Sequence, residues 1–273
     1  MKSKWLATPF LFWMAVFIVV PMVLVFGYAI TRTGADGEIF FTTANLQAVI
    51  VPDNWRIIWK SIRLAFIATV ICLVLGYPVA YILSGNDFSK KGNLLFLFSV
   101  PMWMNFLLRT YAWLSLLEKN GIINSILSFF KLPQLNILYT DYAVLLGMVY
   151  NFLPFMILPI YTVLMKIDHS LVEAAQDLGA NPIRVFLKVV FPLSVPGIVS
   201  GITMVFMPAV TTFIVSNLLG GAQYWLIGNL IERQFLVQYD WHMGSALSML
   251  LMVVIMVSMG IFAAVDRGKE VTQ

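Results

Sequence analysis

The sequence predicts an all-α, polytopic membrane protein with six transmembrane helices, and three observations carry that fold class. Of its 273 residues, 60% are hydrophobic and 11% charged, whereas soluble domains run at about 45–50% apolar and about 25% charged. Mean hydropathy is +0.89. The apolar residues are also gathered into six stretches, each reaching the roughly 20 residues that a helix needs to cross a bilayer.

In chain order the stretches run approximately Leu6 to Ile30, Ile62 to Leu83, Leu94 to Leu117, Tyr142 to Met165, Val195 to Leu219 and Met243 to Val265. Lys2 and Lys4 give the first a charged approach like that of a secretory signal. Its apolar run is longer than a signal core and lacks a small-residue cleavage site, which predicts a retained anchor. Ser84 to Asn93, with Gly85, Asn86, Lys90 and Lys91, reads as a tight polar turn. The connections Thr31 to Ser61, Glu118 to Asp141 and Gly220 to His242 are longer. Their apolar residues, such as Ile122, Ile123, Ile126, Leu127, Phe129 and Phe130, recur at helical spacing and predict short helices along the outer surface. Trp5, Trp55, Trp59, Trp225 and Trp241 fall near span ends, where interfacial anchors sit. With neither a repeat nor a low-complexity tract, residues 1–273 read as one transmembrane domain.

The single cysteine, Cys72, lies in the second stretch as a small hydrophobe, so no internal disulfide can form. A net charge of +4 does not imply nucleic acid, because membrane proteins concentrate Lys and Arg on cytoplasmic connections. An even number of spans puts both termini on one side. The same rule places Lys2, Lys4, Lys90, Lys91, Lys166, Arg184, Lys188, Arg267 and Lys269 inside, against Arg32, Arg56, Lys60, Arg63, Lys119, Lys131 and Arg233 outside. Both termini are therefore expected in the cytoplasm.

The connection Lys166 to Ser194 is built differently. Ser170 and Glu173 have the S-x-x-E spacing of a capping box, which predicts a helix start there. Leu171, Ala174, Ala175 and Leu178 then share a face, and Gly179 suits the left-handed residue that ends a helix. Asn181 and Pro182 suit the cap and first position of a second helix, Ile183 to Phe191. Two helices meeting at a glycine elbow, with small residues exposed, could admit a partner protein closely. An amphipathic loop helix resting on the bilayer would show the same spacing.

Glu173-Ala174-Ala175, then Gly179, Phe186 and Pro192, resembles the E-A-A-x-x-x-G loop of the membrane permease subunits of bacterial ABC importers. That resemblance implies a type I ABC importer permease core in the bacterial inner membrane, with residues 167–194 forming a cytoplasmic coupling loop seated in a groove of an ATPase. Glu173, Ala174, Ala175, Asp177, Leu178 and Gly179 are the coupling residues it implies. The partners implied are a second permease subunit, a cytoplasmic ATPase dimer and an extracytoplasmic binding protein. No cofactor is expected on this chain, ATP and Mg²⁺ belonging to the ATPase. Leu75-Gly76-Tyr77-Pro78, Val100-Pro101, Pro154-Phe155-Met156, Leu226-Ile227-Gly228-Asn229, Gln234-Phe235 and Asp240-Trp241 further resemble permeases of spermidine/putrescine importers. Permeases for other small solutes share this architecture.

Other functions fit the residues less well. No G-x-x-x-x-G-K-[ST] loop is present, since Gly268-Lys269 is followed by Glu270 and has no glycine-rich approach. His169 and His242 are the only histidines and no H-E-x-x-H occurs, which argues against a metal site or an intramembrane metalloprotease. A stand-alone secondary transporter is disfavoured only by the Glu173 to Pro192 signature.

For a polycation, the path should offer carboxylates beside aromatic faces. Asp240 with Tyr239 and Trp241 supplies that combination, near Asn229, Glu232 and Gln234; Tyr224, Glu118 and Asp141 do so less compactly. Solvated loop charges beside interfacial aromatics are the plain alternative. Thr203, Pro208, Thr211, Thr212, Ser216 and Asn217 suit a kinked, wet fifth span, though helix packing through small and hydroxyl residues gives a similar pattern. Arg109, inside the third stretch, is expected to form an ion pair or to snorkel towards the interface.

Overall fold

A computed structural model describes residues 8–34, 36, 38–85, 100, 102–221 and 223–270. Five helices among them are long and apolar enough to cross a membrane: Pro9–Ile30 (α1), Pro52–Ser84 (α3), Asp141–Leu164 (α6), Pro182–Thr211 (α8) and Trp241–Ala264, the last within the helix Trp241–Glu270 (α11). Lys2, Lys4, Trp5, most of the Ser84 to Asn93 turn and the beginning of the third stretch lie outside the described residues. What is described of that stretch ends in the helix Phe106–Leu117 (α4), capped by Asn105, whose side chain accepts from the Leu107 N–H at 2.8 Å.

The chain divides into two compact units, Met1–Trp59 with Leu226–Met256, and Lys60–Trp225 with Val257–Gln273. In the first, α1 gives way to an antiparallel ribbon of Thr31–Thr33 (β1) and Ile39–Phe41 (β2), with Thr31 opposite Phe41 and Thr33 opposite Ile39. This ribbon is a small departure from the all-helical expectation. A short helix, Ala44–Val49 (α2), follows. Asn45 fixes it, its buried amide donating to the carbonyls of Ala29 (3.3 Å) and Thr31 (2.7 Å). Ala29, Val49, Ala246 and Leu247 form the core of this unit, with Leu230 and Ile231 of the helix Ile227–Leu236 (α10) packed against it.

The second unit is organised on α6 and α8. Met148, Met156, Ile157 and Ile160 of α6 are fully buried, and α8 comes close because Gly197 and Gly201 face them. A Cβ at Gly197 would lie 3.0 Å from the Pro159 carbonyl oxygen and from Val163 Cβ. Such small-xxx-small spacing lets membrane helices approach until backbone meets side chain. Cys72 is buried as expected, its Sγ 3.8 Å from the Val149 carbonyl.

Several boundaries differ from the hydropathy reading. α3 begins at Pro52 instead of Ile62, because Pro52 and Asp53 suit a first turn while Arg56, Lys60 and Arg63 dilute the apolar signal of residues that are nonetheless helical. The fifth stretch is not one helix: α8 stops at Thr211, Thr212 is extended, and a separate helix, Ile214–Leu219 (α9), follows. The break falls four residues after Pro208, at Thr212. Nor is Ile183 to Phe191 a separate helix, since it is the continuous beginning of α8. Both π turns, Ala15–Val19 in α1 and Phe186–Val190 in α8, are followed two residues on by a proline, Pro21 and Pro192. A widened turn relieves the clash of each ring with the preceding carbonyls. Short helices appear as expected in all three long connections, as α2, Ile122–Phe129 (α5) and α10.

Candidate functional site

The connection between α6 and α8 folds into a helix, His169–Asp177 (α7), and an elbow. Its cap is Asp168, not the Ser170–Glu173 box: the Asp168 carboxylate accepts the Ser170 N–H at 2.9 Å, and Ser170 and Glu173 lie inside the helix. An ionised carboxylate is the stronger acceptor for exposed helix N–H groups. That same backbone hydrogen bond holds the Asp168 carboxyl below the usual carboxylate range. Glu173 is exposed and has no hydrogen-bond or ion-pair partner among the described residues.

The end of α7 follows from glycine. Gly179 has φ +80°, its N–H donates to Gln176 O (2.8 Å), and the Ala180 N–H donates to Ala175 O (3.1 Å). These are the paired bonds of a Schellman ending. Asn181 then accepts the Arg184 N–H at 2.8 Å and Pro182 opens α8. The face shared by Leu171, Ala174 and Leu178 is exposed, with Leu178 at 89%. The opposite side of α7, through Val172 and Gln176, borders a cavity of about 420 Å³ against Tyr81, Leu164 and Val185. Aromatic and hydroxyl contacts join the beginning of α8 to α3. Phe186 stacks edge-on against Tyr77 and Tyr81 of α3, at 5.8 and 5.3 Å, and the Tyr77 hydroxyl pairs with Ser194 Oγ at 2.9 Å. Phe186 was legible in the signature; the Tyr77–Ser194 contact carried no local signal.

In the first unit, Tyr239, Asp240 and Trp241 are brought together. With Tyr28, they border an open recess of about 700 Å³. Asp240 Oδ1 accepts the Met243 N–H at 2.9 Å, so the residue also caps α11. Tyr239 adopts φ +54°. Asn229, Glu232 and Gln234 do not border the recess. Asn229 is buried, and its Oδ1 accepts the Leu226 N–H at 3.1 Å. Glu232 is half-buried on α10, and the Gln234 carbonyl accepts the Asp240 N–H at 2.9 Å. His242 bridges the Tyr28 carbonyl (3.0 Å) and the Thr33 hydroxyl (3.2 Å).

In the second unit, the start of α3 meets the start of α6. Lys60 Nζ lies 3.1 Å from Asp141 Oδ1, and Arg63 Nη2 lies 3.3 Å from Oδ2. The Tyr224 hydroxyl donates to Oδ1 at 2.5 Å, and Lys60 Nζ sits 3.7 Å above the Tyr224 ring. Burial, and then the carboxylate, push the Tyr224 phenol up, which keeps it a donor. Asn124 fixes the connection leading there, donating to the Glu118 and Leu135 carbonyls and accepting the Leu135 N–H. Arg109 is 6% exposed, and among the described residues it pairs with no acid and its Nε and Nη1 have no hydrogen-bond partner. Its guanidinium carbon lies 5.7 Å from the Phe106 ring centroid.

Five long apolar helices and a capped, exposed loop helix between α6 and α8 make this a polytopic helical membrane protein. Residues 76–271 match the family of binding-protein-dependent transport system inner membrane components, and the chain belongs to that family. It is 40% identical over 240 residues to the spermidine/putrescine transport system permease protein PotB of Haemophilus influenzae, covering 86% of this chain and 84% of that one. It is 39% identical over 246 residues to PotB of Escherichia coli, covering 89% and 90%. Among solved structures, a bacterial ABC transporter involved in alginate import superposes with TM-score 0.81 over 97% of this chain and 96% of that one, at 16% identity, a likeness of fold. The chain is thus a multi-pass inner-membrane permease subunit of an ABC importer and is not itself an enzyme.

Proposed function

We propose that this permease carries polyamines, spermidine and putrescine, forming half of a translocation path with a second permease subunit. The identity of 39–40% to PotB chains across most of their length carries the reading. A binding protein delivers the cargo outside, and a cytoplasmic ATPase dimer, which holds ATP and Mg²⁺, drives the cycle. Six spans leave both termini in the cytoplasm. The loop 167–194 couples to the ATPase through Glu173, Ala174, Ala175, Asp177, Leu178 and Gly179. The exposed apolar face of α7 and the Glu173 carboxylate, which has no partner among the described residues, support that role. As nucleotide closes the ATPase, the elbow moves with it, and Phe186 against Tyr77 and Tyr81 passes the displacement to α3.

Outside, Tyr239, Asp240 and Trp241 receive the polycation, with Asn229, Glu232 and Gln234 shaping the segment around them. A carboxylate beside aromatic faces attracts an alkylammonium at about 0.5–2 kcal/mol per ring. Asp240→Asn tests this cleanly, because asparagine caps a helix as well as aspartate does. With its partners co-expressed, the native chain should take up labelled spermidine, and Asp240→Asn should take it up more slowly with ATPase assembly unchanged. Uptake of an unrelated solute instead of either polyamine would overturn the substrate; unchanged uptake by the variant would remove Asp240 from the path.

A further inference from the structure

The Asp141 cluster has the form of an ammonium site that is already filled. Lys60 Nζ is a primary alkylammonium held at 3.1 Å by one carboxylate oxygen and at 3.7 Å over an aromatic ring. A terminal amine of a polycation presents the same three N–H donors on the same kind of methylene stem. The side chains of Lys60 and Asp141 remain 32% and 36% exposed, so the pair is open to exchange with solvent species. Arg63 and the Tyr224 hydroxyl hold the carboxylate independently of Lys60, through Oδ2 and Oδ1. A recess of about 470 Å³ borders Tyr224, Tyr139 and Gln223, beside the ring that Lys60 covers.

We propose that Asp141 and Tyr224 form an alkylammonium-binding site whose resident occupant, Lys60, is displaced when an ammonium of the cargo takes its place. The proposal rests on the polyamine reading. Exchange of one ammonium for another leaves the ion pair and the cation–π contact nearly unchanged in energy, so the site binds weakly and releases quickly. A transfer point needs that property, since a site that holds its cargo tightly stalls transport. Two cations facing one carboxylate also repel each other, which favours release of the flexible lysine over the planar, charge-delocalised arginine.

The test uses the assembled transporter with its native Lys60. An amine-acylating reagent is added with spermidine or with choline chloride at matched ionic strength, and acylation of Lys60 and of Lys119 is followed by mass spectrometry. Spermidine should raise acylation of Lys60 several-fold relative to that of Lys119, a ratio that cancels the reagent consumed by spermidine's own amines. Lys60→Ala, which empties the site, should lower the KM for spermidine by roughly two- to fivefold, the range that an exposed ion pair corresponds to. If spermidine is transported while Lys60 reactivity stays the same, the exchange site is wrong and the polyamine reading stands. If the native assembly does not transport spermidine, both fall.

Discussion

At the scale of single residues, Gly179 is required for its backbone and not for space. Its φ is +80°, and a Cβ built there meets nothing within 4 Å. Any loss on substitution therefore comes from holding an L-residue in the left-handed region, about 1–2 kcal/mol for ordinary side chains and more for β-branched ones. Gly179→Val should leave the chain in the membrane yet reduce ATPase binding and transport-linked ATP hydrolysis, whereas Gly179→Asn should retain most of both. Equal activity of the two variants would show that the elbow does not set coupling. Asp168, Asn181 and Asp240 are caps whose side chains accept from the first turn of the following helix. Of these, only Asn181 was legible as a cap in the sequence. Ser170–Glu173 fitted a motif by spacing, but Asp168, two positions earlier, is the stronger acceptor, and spacing carries no information about such competition. The Lys60, Arg63, Asp141 and Tyr224 cluster was less legible still, because its members come from three separate parts of the chain.

At the scale of elements, hydropathy located the long helices because lipid imposes one requirement on every spanning residue. The fourth stretch, Tyr142 to Met165, sits within one residue of α6, Asp141–Leu164. Boundaries failed where a second constraint acted: charged turns extend α3 beyond its apolar run, and the chain after Pro208 breaks into α8 and α9. The packing of α8 on α6 was legible only as a small-residue pattern, and the structure gives it a contact. Gly197→Ala brings a methyl to 3.0 Å from the Pro159 carbonyl oxygen and Val163 Cβ, so these neighbours must give by a few tenths of an ångström, and with backbone on one side the expected cost is about 1–3 kcal/mol for overpacking. Thermal denaturation of the detergent-solubilised chain should show a lower Tm for Gly197→Ala. Gly260→Ala, where a Cβ meets nothing within 4 Å, is the control and should match or exceed the native chain. A fall of equal size in both would remove close packing as the cause.

For the whole molecule, the orientation across the membrane follows from combining charge with the fold. The positive-inside rule counts Lys and Arg close to span ends in short connections, and by sequence alone Arg56, Lys60 and Arg63 weaken the bias by standing on the outer side. In the structure these residues lie within α3, and Lys60 and Arg63 are paired with Asp141, so they differ from free loop charges when opposed to Lys166, Arg184 and Lys188 around the coupling loop. On the proposed coupling role, the exposed Leu178 and Glu173 meet the ATPase, which works on the side where ATP is available. Glu173 should therefore face the cytoplasm and Asp240 the outside. Cysteine labelling in a Cys72→Ala background measures this, and Cys72 is a mild site to change, being buried with only a long contact from its sulfur. An impermeant thiol reagent applied to intact spheroplasts should modify Asp240→Cys readily and Glu173→Cys only after the membrane is opened. Labelling of Glu173→Cys from outside would invert the topology and with it the coupling role of α7.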